Sequence, residues 1–300
     1  MSFRSLMRPV MRLAAAPVLG AALIALAPAR PVHAATDSCQ APLTREIPRR
    51  AARAPSGSAL MEQLMATSGP ARDQAIVDQV LSGNLPSFLR HLTPVTLAGK
   101  VASGAKVLIT ICVTPDYLAV GDDRDFVRVP MGLAGAARVA SEMGFLLPTP
   151  KMVDAIYSQA KVRVAPSPMT PGSKMASTAY LLQHDRTVDQ QRAKVSRQFG
   201  ALTAGQKKDI VLTNRLLSHP GRVAIYGWHR PNGRPIQPLS TVHGASYADY
   251  SHGVRLVSRT AYVNGKEMPL SKIMQDRELA GIVSGEGPIG NAERLLAGLY

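Results

Sequence analysis

The sequence predicts an α+β protein. Three observations carry that expectation: apolar residues at helical spacing early in the chain, two later stretches that switch to strand-like alternation, and strands grouped with strands rather than alternating singly with helices. At 300 residues, 46% hydrophobic and 18% charged, the chain can bury a core and is neither disordered nor a small disulfide-stapled domain. Lys and Arg number 35 against 20 Asp and Glu, and aromatic residues make up only 5%, which argues against a nucleic-acid binder built on base stacking.

Residues 1–34 read as a secretory signal peptide. Arg4, Arg8 and Arg12 precede the apolar run from Leu13 to Leu26, and Val32-His33-Ala34 sets small residues at the two positions that matter for cleavage after Ala34. The run is too short for a bilayer span and Pro17, Pro28 and Pro31 interrupt it, so no transmembrane span is expected after cleavage. The remaining chain stays strongly basic, and an exported basic protein is drawn to anionic envelope or extracellular polymers. The localisation expected is secreted or periplasmic. Cys39 and Cys112, an even count in an oxidising compartment, are expected to pair.

Residues 35–57 form an expected basic flexible arm, with Arg45, Arg49, Arg50 and Arg53 among Pro42, Pro48 and Pro55, and Ser56-Gly57-Ser58 as a hinge. A lobe of N-terminal helices and a β-meander is expected over 58–165. Its helices fall between Ala59 and His91, where Ile76, Val77, Val80 and Leu81 share a face and Gly83 marks a stop. The period then changes in Lys106–Ile111, Tyr117–Val120 and Phe126–Val129, joined by the acidic turn Gly121–Asp125, whose carboxylates lack the spacing of a calcium loop. Two helices follow, Gly132–Met143 and Pro150–Ala160, the second with Thr149 as N-cap and Pro150 at its first position.

Residues 166–175 are Pro- and Gly-rich and read as a linker or loop. A second lobe over 176–300 opens with a long helix, Ala176–Phe199, on which His184-Asp185 is expected to be a solvent-exposed pair. Lys207-Lys208-Asp209 reads as a charged strand entrance. Strands are then expected at Asp209–Thr213, Arg222–His229 and Tyr247–Val257, and a helix at Pro269–Ile282 closes this mainly β region.

The densest set of reactive side chains is His229, His243, Asp249, His252 and Arg255, in a glycine-flanked stretch that also holds the only Trp. Read as one strand, Tyr247–Val257 puts Asp249, Ser251 and Arg255 on one face and His252 on the other, unless a bulge at Gly253 undoes the split. Three chemistries compete. A divalent metal such as zinc held by the histidines and Asp249 would activate water, although the spacing matches no closed zinc motif. A histidine oriented by Asp249 would act as general base on water or on Ser251, with Arg255 holding an anion or carbonyl. The third reading is non-catalytic: ligand recognition, or a tied turn.

Ser251-His252-Gly253-Val254-Arg255-Leu256 resembles the S-H-G-C-x-R active-site motif of L,D-transpeptidases, exported enzymes that cross-link peptidoglycan, and His243-Gly244 resembles their upstream His-Gly. Val254 stands where the nucleophilic cysteine belongs, so cysteine transpeptidation is excluded at this position. The resemblance implies a cell-envelope context. The leading expectation is an exported hydrolase of an envelope or extracellular polymer; the alternative is a non-catalytic binding or structural protein engaging an anionic polymer through its basic arm. Nothing in the sequence sets the oligomeric state.

Overall fold

The structure is a computed structural model that describes Met1, Cys39, residues 47–196 and residues 198–290. The expected signal peptide beyond Met1, and residues 35–38 and 40–46 of the arm with Arg45, lie outside those residues. The described body belongs to one compact unit, Val32–Tyr300, of α+β class.

Ser56 begins a helix rather than a hinge: its hydroxyl accepts from Ala59 N at the start of α1, Gly57–Gln63. α2 spans Gly69–Leu81 and buries Ile76, Val77 and Val80, as the apolar spacing predicts. The strands β1 (Thr93–Lys100) and β2 (Lys106–Val113) form a hairpin in unbroken register from Thr93↔Val113 to Lys100↔Lys106. Short β3 (Ala119–Gly121) and β4 (Phe126–Arg128) pair across the acidic turn. Its carboxylates serve as anchors, since Asp123 accepts from Ser87 N and Asp125 from Ser58 N.

α3 (Leu133–Glu142), β5 (Phe145–Leu146), α4 (Pro150–Gln159) and β6 (Val162–Arg163) follow. Thr149 caps α4 by accepting from Met152 N, with Pro150 in its first turn. The Pro-rich segment after β6 is coil, held where Met169 N donates to Tyr250 Oη and Tyr180 Oη donates to Thr170 O. α5 covers Thr178–Val195. Beyond it lie β7 (Thr203–Ala204), β8 (Lys208–Ile210), α6 (Arg215–Ser218), β9 (Ile225–His229), β10 (Pro235–Ser240), β11 (His252–Gly253), β12 (Val257–Val263) and β13 (Lys266–Pro269).

One sheet runs β1-β2-β12-β13, with β5 also against β12; a second runs β10-β9-β8-β11. β2 therefore lies between its hairpin partner and a strand from the far end of the chain. The expected closing helix is broken into α7 (Leu270–Gln275) and α8 (Ala280–Val283), because the Asp276 carboxylate accepts from Glu278 N and Leu279 N and starts a new turn. The Cys39–Cys112 disulfide is present and ties the arm to β2. Among the described residues no helix is long and apolar enough to cross a membrane.

Candidate functional site

Tyr247–Val257 is not one strand. The Asp249 carboxylate accepts from Ser251 N at 2.8 Å and Ser251 Oγ at 2.5 Å, an Asx-type turn that folds the chain before the two-residue β11. β11 then runs parallel to β8 with His252 opposite Lys208 and Gly253 opposite Asp209. Partners in register point to the same face of a sheet, so Lys208 and His252 emerge together. Gly253 is required on the other face: a Cβ there would sit 2.5 Å from the Tyr117 ring and 2.9 Å from Lys207 Cβ.

β9 adds Trp228 through a local distortion. Gly227 and Trp228 both have positive φ, 105° and 59°, and Trp228 N donates to Lys207 O. A bulky side chain seldom occupies that backbone region, and strain of this kind concentrates at functional sites. The indole ring consequently lies under the Lys208 ammonium, with Nζ 5.2 Å from the ring centroid.

His243 stacks on Tyr247 at 4.3 Å, and both rings cover His252, at 6.2 and 5.7 Å between centroids. Tyr247 Oη donates to Asp249 Oδ2. His252 is wholly buried, and neither ring nitrogen has a hydrogen-bond partner. Leaving a buried polar group unpaired costs about 1–3 kcal/mol, a cost that persists where function demands it.

Burial drives His252 down to about 4; Asp249 opposes this while Lys208, His243 and Lys207 add to it. Burial alone raises Asp249, but His252, the two bonds from Ser251 and Lys208 bring it below its ordinary value. Lys208 is lowered by burial and supported by Asp249. At neutral pH the group thus comprises a neutral imidazole, a carboxylate and an ammonium. A neutral imidazole with free nitrogens can take a proton, and the ammonium can hold developing negative charge. The Ser251 hydroxyl is committed to Asp249, which leaves water as the group for the imidazole to activate.

The structure thus brings His243, Asp249 and His252 together and places the other two candidates elsewhere. His229 Nε2 meets Asp154 Oδ1 at 2.8 Å, and its ring stacks on Tyr157 at the floor of a separate cleft of about 520 Å³. Arg255 is a core clamp. Its guanidinium donates to Thr114 O and Thr203 O and lies 4.3 Å from the Tyr117 ring centroid, so it faces backbone and not a ligand. Among the described residues, no group of three or more His, Cys, Asp or Glu is placed to hold a metal ion.

One expectation is overturned on α5. His184 and Asp185 are buried, not solvent-exposed, because α5 presents Thr178, Leu181, His184, Asp185, Val188 and Arg192 along one inward stripe. Lys207-Lys208-Asp209 does enter a strand, β8, with Lys207 and Asp209 buried. Lys207 Nζ donates to Tyr250 O at 2.6 Å and to His184 Nδ1 at 3.1 Å, and burial lowers it to about 8. Next to it Arg128 binds Asp116, Asp185 and Asp189 at 2.9, 3.1 and 2.7 Å. The signal was present in α5, where polar residues stand three and four positions from Leu181 and Val188 on the face that should be apolar.

No family model, curated protein or solved structure matches the chain.

Proposed function

We propose that this chain is an exported hydrolase of a cell-envelope or extracellular polymer, with His252 as the base that activates water. The observation that carries the reading is His252 itself, buried beside Asp249 and Lys208 with both ring nitrogens unpartnered. Asp249 shapes the turn that aims His252 and Lys208 stabilises the anion formed on attack. His243 and Tyr247 form the cover that opens to admit substrate. The disulfide fits an oxidising compartment, and the basic charge fits an anionic polymer.

The non-catalytic alternative rests on the arm arginines. Arg49 and Arg53 are exposed, whereas Arg50 is occupied with Asn84, Ala54 O and Pro55 O; Arg90 of the body reaches the arm backbone at Ile47 O and Pro48 O. Arg50 thus ties the arm to the body, while Arg49 and Arg53 display their charge.

The test is release of soluble fragments from purified peptidoglycan sacculi and from an anionic polysaccharide. His252→Ala is expected to lower release by about a hundredfold or more. Because the base works only when neutral, the wild-type rate should rise through about pH 4 and then level off. Full release by a folded His252→Ala protein, or no release from either polymer by the wild type, overturns the reading.

A further inference from the structure

Residues 210–248 contain four arginines and no Asp or Glu. Within that stretch stand the two most exposed large apolar side chains after Met1, Val242 at 73% and Leu217 at 62%. Their segments are tied together. Arg215 Nη1 donates to Leu239 O and Arg222 Nη1 to Val242 O; Val223 N donates to His243 O and Ala245 N to Gly221 O. The guanidinium groups of Arg215 and Arg222 are thereby fixed close to the backbone that carries the apolar tip. The surrounding residues, Leu217 through Arg222, are all exposed. Glu286 is the one carboxylate that bonds to residues 213–223 among the described residues, and it is occupied by Thr213 Oγ1 and Asn214 N.

We infer that this rim, built from residues 215–222 and 239–242, is a docking surface for an anionic lipid bilayer. Apolar tips enter the headgroup boundary and fixed arginines meet lipid phosphates; charge without the tips would suit a soluble polyanion equally well, and the tips select the bilayer. His243 directly follows the rim, so a docked molecule presents the cover of the candidate site to whatever the membrane surface carries. The docking itself does not rest on the hydrolase reading, since none of its residues belongs to the His243–Asp249–His252 group.

The experiment is co-sedimentation of the disulfide-bonded protein with vesicles of pure phosphatidylcholine, or of phosphatidylcholine with about one third phosphatidylglycerol, at low and high salt. Wild type should bind the anionic vesicles, more weakly at high salt, and bind pure phosphatidylcholine poorly. Leu217→Glu with Val242→Glu, and separately Arg215→Gln with Arg222→Gln, should each lower partitioning by about tenfold or more. Met65→Glu, at an exposed apolar site outside this rim, should leave partitioning unchanged. Equal binding to both vesicle types, or retained binding by either double variant with an unchanged melting temperature, overturns the inference. A variant that melts early is replaced by Val242→Ser alone, read in the same way.

Discussion

Replacing Asp209 with Asn removes one buried acid and leaves an oxygen to accept from Tyr117, whose hydroxyl lies 2.7 Å from Asp209 Oδ2. Asp209 is 3% exposed, and burial pushes it from 3.8 up to about 6, against the opposing pull of Arg255, the Tyr117 bond and His229. The interval from 3.8 to about 6 corresponds to about 3 kcal/mol of preference for the protonated form in the folded chain. The folded value lies above the unfolded one, so the folded state binds the proton more tightly. The group's contribution to stability is therefore complete below about pH 4 and is lost as pH rises through about 6. Urea unfolding of wild type and Asp209→Asn between about pH 3.5 and 7.5 reads this directly, because other titrating groups cancel in the difference. The stability of wild type relative to the variant should fall by about 3 kcal/mol across that range, most of it between about pH 4 and 6. A pH-independent difference between the two proteins would refute the reasoning.

Two further outcomes follow from the core. Cys39→Ser with Cys112→Ser opens a loop whose ends are 73 residues apart and should cost about 4 kcal/mol, read as a lower urea midpoint; a loss below about 1 kcal/mol would show that the arm holds without the bridge. Arg128→Met leaves Asp116 and Asp185 buried without their cation and should cost about 3–5 kcal/mol at neutral pH. Burial already raises Asp185 to about 6, so mild acid should restore part of that loss, and an equal loss at about pH 5 and 7.5 would count against the argument.

Much of the fold was readable from period and punctuation. The apolar face of α2, the strand β2, the β3–β4 pairing across the acidic turn, the Thr149-Pro150 cap and the disulfide all follow from local patterns that the structure repeats, whereas β1 was not expected and joins β2 where a meander to β3 was read. The two-residue strands β5, β6 and β7 were not expected, and β3, β4 and β8 were blurred in extent, because two or three residues carry too little alternation to define a strand. The candidate site was half legible. Clustering pointed to His243, Asp249 and His252, but parity along an assumed strand gave the wrong neighbours, since the Asp249–Ser251 turn and the Trp228 backbone reset which side chains share a face. Lys208 was not legible as a site residue, because nothing local shows that β11 will lie beside it in parallel register. Lys207 and the Arg128 cluster were missed for a related reason: their partners come from α5 and from strands far along the chain.

The position of β2 between β1 and β12 bears on the order in which the molecule can assemble. Val113 pairs with both Thr93 and Val257, so the first neighbour is available as soon as the hairpin exists, while the second comes from far along the chain. A central strand awaiting so distant a partner gives high contact order, and the entropic cost of closing that loop falls on the folding rate. The main sheet thus stays incomplete until β12 is in place. Until that register forms, β2 has one open edge, and the rest of the chain is free to rearrange around the hairpin.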